Sequence, residues 1–257
     1  MTPGEIIGLA AAAAAAGLIN AVAGGGTLLT FPTLMFFGTS STMANATSTL
    51  ALVIGTFGGV FGYRKHLAAV KGWLWRLIPP SLLGGWLGSW LLTSTSDKTF
   101  SKLVPFLILF ATVLFLLQGA IKRWTGTASG TPSAAPGAVA GAIAFQFAVA
   151  VYGGYFGAGI GILMLASLGL IGFADIHQMN GMKTVLGALI NLVAALWFIQ
   201  AGLIDWPRAG IMTVGALAGY LAGSHWSQKI PQARVRQIVT AIGLIIAAVA
   251  FWKEFVR

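Results

Sequence analysis

The chain has 257 residues, of which 57% are hydrophobic and 8% charged, with a mean hydropathy of +0.88. Soluble domains carry roughly 25% charged residues. So few charges cannot cover a water-facing surface, so lipid is the expected solvent for most of the molecule. Fifteen Lys and Arg against five Asp and Glu give a net charge of +10. The bases lie between apolar segments, where they orient helices and meet anionic headgroups. The expected partner there is membrane lipid, and no nucleic acid is expected. The absence of Cys excludes disulfides, thiol catalysis and Cys-ligated metals.

In chain order, apolar runs long enough to span a bilayer, roughly 20 residues each, are separated by short polar breaks. The first runs from Gly4 to Gly38, about 35 residues, and is interrupted at Ala23-Gly24-Gly25-Gly26-Thr27. A secretory signal cleaved at Ala21-Val22-Ala23 is the rival reading. It is disfavoured because the N-terminal region carries Glu5 and no Lys or Arg, and because the same kind of segment returns mid-chain. Three runs follow, Met43 to Tyr63, Trp73 to Leu92 and Leu103 to Ile121. A Gly-, Ser-, Thr- and Pro-rich stretch from Lys122 to Gly137 then divides the chain.

Beyond it lie Ala138 to Phe173, Met179 to Gly202, Ala209 to Ser227 and Ile238 to Phe255. The first of these is again long and broken, at Gly153-Gly154-Tyr155-Phe156-Gly157-Ala158-Gly159-Ile160-Gly161. At a shift of 135 residues, Gly24 and Gly26 fall on Gly159 and Gly161, and Asn45 on Asn180. Gly84, Gly88 and Ser89 fall on Gly219, Gly223 and Ser224. The reading is an all-α membrane protein of about eight membrane segments in two homologous repeats, with two glycine-broken or re-entrant helices. The repeats cover residues 1–122 and 136–257, joined by a linker over 123–135.

If each broken segment enters and leaves on one face, a repeat crosses an odd number of times and the two are inverted. Charge placement agrees. Arg64, Lys65 and Lys71 make the second break of the first repeat basic, whereas Asp205 and Arg208 cancel in its partner. At the third break Asp97, Lys98 and Lys102 face Lys229, Arg234 and Arg236. Positive-inside bias then puts opposite ends of the repeats in the cytoplasm. A parallel arrangement keeps a similar bias through Lys122 and Arg123, so charge alone leaves both open.

In a bilayer, broken helices survive only where protein buries them or where they line a cavity. A helix N-terminus exposes free N–H groups and the positive end of the helix dipole, which favour an anion. The candidate binding residues are therefore Gly24, Gly25, Gly26 and Thr27 at the first break, and Gly157, Gly159 and Gly161 at the second. Small residues also serve close helix packing, the simpler account of Gly84 and Gly88. After the breaks come Asn45, Thr47, Ser48 and Thr49, then Asn180, Lys183 and Thr184. Each is an ordinary capping type, apart from Lys183, which either snorkels or lines an anion path. Asn20 and Gln146 are polar residues inside the broken runs.

No Walker motif or HExxH-type spacing occurs, and no metal or other cofactor is expected. The five acids lie near segment ends, so none is placed as a mid-membrane proton relay.

Gly24-Gly25-Gly26-Thr27-Leu28-Leu29-Thr30-Phe31-Pro32, followed by Ala44-Asn45-Ala46-Thr47-Ser48, resembles the TauE/SafE sulfite exporter family. Gly154 to Gly161 is similar to that family's second glycine motif, with Ile160 at a usual Gly and Ser167 at the Pro32 position. The resemblance implies a secondary transporter, not an enzyme, that moves a small sulfur-containing anion of the sulfite, sulfonate or thiosulfate class. It implies a bacterial inner membrane and export as the direction. The competing reading is a non-transporting membrane subunit or assembly factor, which would have no need of paired broken helices.

Overall fold

The computed structural model describes residues 1–22, 25–125, 135–226 and 232–255. Among them lie ten α-helices, one 3-10 turn over Ala68–Val70 and no strand. The eight apolar runs become ten helices because the first run of each half splits at its glycines. The first half comprises α1 (Pro3–Val22), α2 (Thr27–Phe36), α3 (Ser41–Leu67), α4 (Lys71–Ser94) and α5 (Asp97–Thr125). The second comprises α6 (Pro136–Tyr155), α7 (Ile160–Ile171), α8 (Ile176–Gln200), α9 (Trp206–Trp226) and α10 (Gln232–Phe255). Helix α5 extends into the segment read as a linker, most of which lies outside the described residues.

The surface of the bundle is apolar. Leu103, Phe106, Leu109, Phe110, Val113, Leu116 and Leu117 form an exposed face on α5, and Ile238, Leu244, Ile245, Val249 and Trp252 another on α10. Faces of this size would aggregate in water and match acyl chains in a bilayer. By length and apolarity α1, α5, α6 and α8 each suffice to cross a membrane. The protein is a multi-pass helical membrane protein.

Helix α2, with 10 residues, is only about 15 Å long at 1.5 Å per residue, half the hydrocarbon thickness of about 30 Å. It turns back along α1. A Cβ on Gly8 of α1 would touch the ring of Phe37, the residue after α2. The Arg208 guanidinium joins Glu5 of α1 to the Phe37 carbonyl, at 2.6 and 2.9 Å. The open ends of α1 and α2 thus meet at one end of the bundle, and the glycine break sits at the buried tip of a re-entrant hairpin.

Tight helix packing is set by glycine. Helix α1 lies along α9 and α6 along α4. A Cβ on Gly219 would fall on the backbone of Ala14, one on Gly215 on Ala10, and one on Gly223 on Leu18. The rising numbers show that α1 and α9 run in the same direction. Gly84 meets Phe147 and Ala150 and Gly88 meets Val151 in the same manner. Without side chains at these points the backbones approach closely, which is how helices gain contact where lipid supplies no hydrophobic drive. Helices α5 and α10 instead run antiparallel. Phe106 packs on Phe251 with ring centroids 4.9 Å apart, and Gly243 faces Thr112.

Candidate functional site

Both glycine breaks are held open by named hydrogen bonds. At the first, the N–H of Gly26 donates to Asn20 Oδ1 at 2.8 Å, tying the start of α2 back to the last turn of α1. Gly25 has φ +94, a left-handed conformation that a side chain would strain, and a Cβ there would also strike the Phe115 ring. At the second, Gly157 and Gly159 both have φ +80. The Tyr152 hydroxyl donates to the Ala158 carbonyl at 2.7 Å, and the N–H groups of Phe156 and Gly157 donate to the Tyr152 carbonyl. Each break is therefore a built turn between two helix ends, clamped by a polar side chain from the helix before it.

Between the breaks lies a cavity of about 110 Å³. A single water needs about 10–15 Å³ on the same measure, so there is room for several waters or a small oxyanion. Helix α1 supplies Asn20 and Ala21. The first break and α2 supply Gly25 and Thr27. The second break and α7 supply Phe156, Gly157, Gly159, Ile160, Gly161 and Met164. Two long helices complete the wall with Thr49, Leu52 and Thr56 of α3 and Lys183, Thr184, Gly187 and Asn191 of α8, together with Tyr220 of α9.

Lys183 is the charged member. Its stem crosses the first turn of α7, where a Cβ on Gly161 would stand 3.1 Å from Lys183 Cδ. Only glycine leaves that lane open. Lys183 has no hydrogen-bond or ion-pair partner among the described residues. An ammonium in a bundle interior needs a counter-charge or strong acceptors, and the protein leaves that position to something else. At the start of α2 the Leu28 and Leu29 N–H groups donate to the Gly25 and Gly26 carbonyls. At the start of α7 those of Ile160 and Ile162 donate to the Gly157 and Gly159 carbonyls, so each start closes on its own glycine turn. The two helix starts line the same space.

The candidates from the sequence divide in two. Asn20, Gly25, Thr27, Gly157, Gly159, Gly161 and Lys183 line the cavity. Gly26, Asn45, Thr47 and Asn180 do not. Gly24 lies outside the described residues. Asn45 is 1% exposed, and its Nδ2 donates to the Tyr155 carbonyl at 3.0 Å, so it fixes the end of α6 just before the second break. Thr47 Oγ1 accepts the N–H of Asp205 at 3.0 Å, which fastens the approach to α9. Ser48 and Thr30 share a 2.6 Å hydroxyl contact that joins α3 to α2. Gln146 Nε2 donates to Ser81 Oγ at 2.9 Å, linking α6 to α4. Asp175 caps α8 by accepting the His177 N–H at 2.8 Å.

Sequence reading passed over Leu52, Thr56, Gly187, Asn191 and Tyr220. The signal for four of them was present. Thr49, Leu52 and Thr56 recur at i, i+3 and i+7, the spacing of one helix face. At the 135-residue shift they fall on Thr184, Gly187 and Asn191. The two stripes face one cavity. Ser48 falls on Lys183 at that shift, so the pair of stripes carries its charge on one side only.

Comparison with known proteins finds membrane transporters along nearly the whole chain. The chain is 26% identical over 234 residues to a probable membrane transporter protein of Haemophilus influenzae, covering 91% of this chain and 89% of that protein. It is 27% identical over 235 residues to the probable membrane transporter protein YfcA of Escherichia coli K12, covering 91% and 84%. No solved structure matches. The sequence model of the sulfite exporter TauE/SafE family matches residues 9–250, nearly the whole bundle and both breaks. The chain belongs to the TauE/SafE family of membrane transporters.

Proposed function

We propose that this protein is a secondary transporter that exports a small sulfur-containing anion, of the sulfite, sulfonate or thiosulfate class, across a bacterial inner membrane. The observation that carries the reading is the unpartnered Lys183 in a cavity lined by the starts of two half-helices. Anions favour helix N-termini, and transporters of several folds bind solutes at discontinuous helices near the midplane. Asn20 and Asn191 supply side-chain amides and Thr27 a hydroxyl around the same space, whereas the hydroxyls of Thr49, Thr56 and Thr184 donate to the Asn45, Leu52 and Asn180 carbonyls of their own helices. Asn45 and Thr47 act one layer back, holding the elements that shape it. The inside-negative potential supplies a driving force, since one charge moved through 100 mV is worth about 2.3 kcal/mol. A non-transporting subunit has no use for an unpaired cation in a cavity between two broken helices.

We further propose that the halves are inverted repeats. The helix order of α6–α10 follows that of α1–α5 at the 135-residue shift, and the pairing of α1 with α9 matches that of α6 with α4. Helices α5 and α10, equivalent under the shift, pack antiparallel, which an axis along the membrane normal would not produce.

The test is flux from proteoliposomes holding the purified protein, with sulfite, alkylsulfonates and thiosulfate as the panel and the potential clamped. Saturable, potential-dependent flux of at least one anion is expected. Absence of flux for the whole panel would sink the transporter reading for this substrate class.

A further inference from the structure

The cavity's charge can be counted. Lys183 carries the only formal charge among the described residues that line it; the other titratable group there is the Tyr220 phenol. Four helix ends also meet there. Helices α2 and α7 begin at the cavity, each with about half a positive charge. Helices α1 and α6 end there, at Asn20 and Ala21 and just before Phe156 and Gly157, each with about half a negative charge. Starts and ends balance break by break. They orient a ligand locally but add no net charge, so the protein side of the site amounts to the single Lys183 charge.

We infer that the site is built for a monovalent anion and discriminates against a divalent one, with Lys183 setting the valence. The inference rests on the anion-transport reading above and narrows it to hydrogensulfite and simple sulfonates. A monoanion beside Lys183 leaves the loaded cavity neutral. A dianion leaves one negative charge with only neutral groups to meet it, among them the side-chain amides of Asn20 and Asn191 beside apolar Leu52, Phe156, Ile160 and Met164, and an enclosed charge without a counter-charge is costly. The position equivalent to Lys183 carries Ser48, whose hydroxyl is engaged by Thr30 at 2.6 Å, so the second repeat-related position supplies no second cation.

The experiment uses methanesulfonate and sulfate, which share a tetrahedral sulfur-oxygen head and similar size and differ by one charge. Each is measured as flux into proteoliposomes with the wild-type protein, Lys183→Gln and Lys183→Arg, all checked for folding by size exclusion and circular dichroism. At least tenfold preference for methanesulfonate is expected in the wild type, retained in Lys183→Arg and lost in Lys183→Gln. A preference that survives in Lys183→Gln overturns the inference, because the methyl group and not the charge would then set it. Sulfate carried as well as methanesulfonate by the wild type also overturns it while leaving the anion-transport reading intact. No flux of either probe or of sulfite overturns both.

Discussion

Glu5 and Arg208 stand 203 positions apart in the chain and meet at 2.6 Å. The same guanidinium donates to Asp205 at 2.8 Å, to Thr39 Oγ1 at 2.9 Å and to the Phe37 carbonyl at 2.9 Å. One side chain thus gathers the starts of α1 and α9 and the end of α2. The planar fork suits this, since its N–H groups point in fixed directions to several acceptors. The network fastens the open end of the hairpin whose tip forms the cavity. At the corresponding place in the second half, Trp73 of α4 packs edge-on against Phe173 after α7, with centroids 5.9 Å apart. One hairpin is anchored by ions and the other by aromatic rings.

Removing Arg208 should therefore cost more than removing Glu5. Arg208→Ala abandons the Glu5, Asp205, Thr39 and Phe37 contacts, whereas Glu5→Gln keeps an acceptor for the guanidinium. The melting temperature in detergent should fall in the order wild type, Glu5→Gln, Arg208→Ala. The double substitution should fall no further than Arg208→Ala, because Glu5 acts through Arg208. An additive double substitution would show that the two do not work as a unit.

Asn20 is expected to matter through the break it clamps. Asn20→Ala leaves the Gly26 N–H without its acceptor in a buried turn, and an unmet buried donor costs about 1–3 kcal/mol. Transport should drop while the protein still inserts and purifies. Asn20→Asp retains an acceptor oxygen but adds a negative charge beside the cavity, so it should keep the fold and weaken anion flux more than Asn20→Ala does. Equal flux in the two variants would remove the electrostatic part of this account.

The helix-packing glycines divide cleanly by what surrounds them. A Cβ on Gly219 would overlap the backbone of Ala14, which cannot move without shifting α1, whereas Gly210, on the same helix, has nothing within 4 Å. Overpacking of this kind costs about 1–3 kcal/mol. Gly219→Ala should lower thermal stability in detergent and Gly210→Ala should leave it unchanged or raise it slightly, alanine being the better helix former. Equal effects at both would mean that α1 and α9 do not approach as closely as described.

Much of this is legible in the sequence. The broken runs, and Gly25, Gly157, Gly159, Gly161 and Lys183 as residues that come together beside them, follow from composition, run length and spacing, because glycine clusters inside apolar segments are costly in lipid unless they are built into something. Two features were harder to read. Asn45 and Thr47 look like ligands in sequence, yet they bond to Tyr155 and to Asp205 on distant segments, and spacing carries no information about partners more than a hundred residues away. Asp205 and Arg208 read as charges that cancel at a loop. Their role emerges only once Glu5 is brought to them by the packing of α1 on α9. Thr56 and Asn191 lie on the helical faces of Thr49 and Thr184, two turns further along.

The last expectation concerns orientation. On the proposed inverted arrangement the hairpin of each half returns to the face it left and contributes no net crossing, while α3, α4 and α5 carry the chain across three times, an odd number, and α8, α9 and α10 do the same in reverse. The segment between α5 and α6 should lie on the opposite side from both termini. Arg64, Lys65 and Lys71 lie where α3 passes to α4, and the connection after Thr125 follows α5 and its Lys122 and Arg123. Helices α4 and α5 separate the two by two crossings, so both face the same side under this count, and positive-inside bias makes that side the cytoplasm. A reporter active only in the cytoplasm, fused within residues 126–134 and separately after Arg257, discriminates the arrangements. Opposite activities at the two sites are expected, with the segment between the halves cytoplasmic and both termini outside. Activity at both sites would mean an even number of crossings in the second half, and the inverted-repeat arrangement would fall with it.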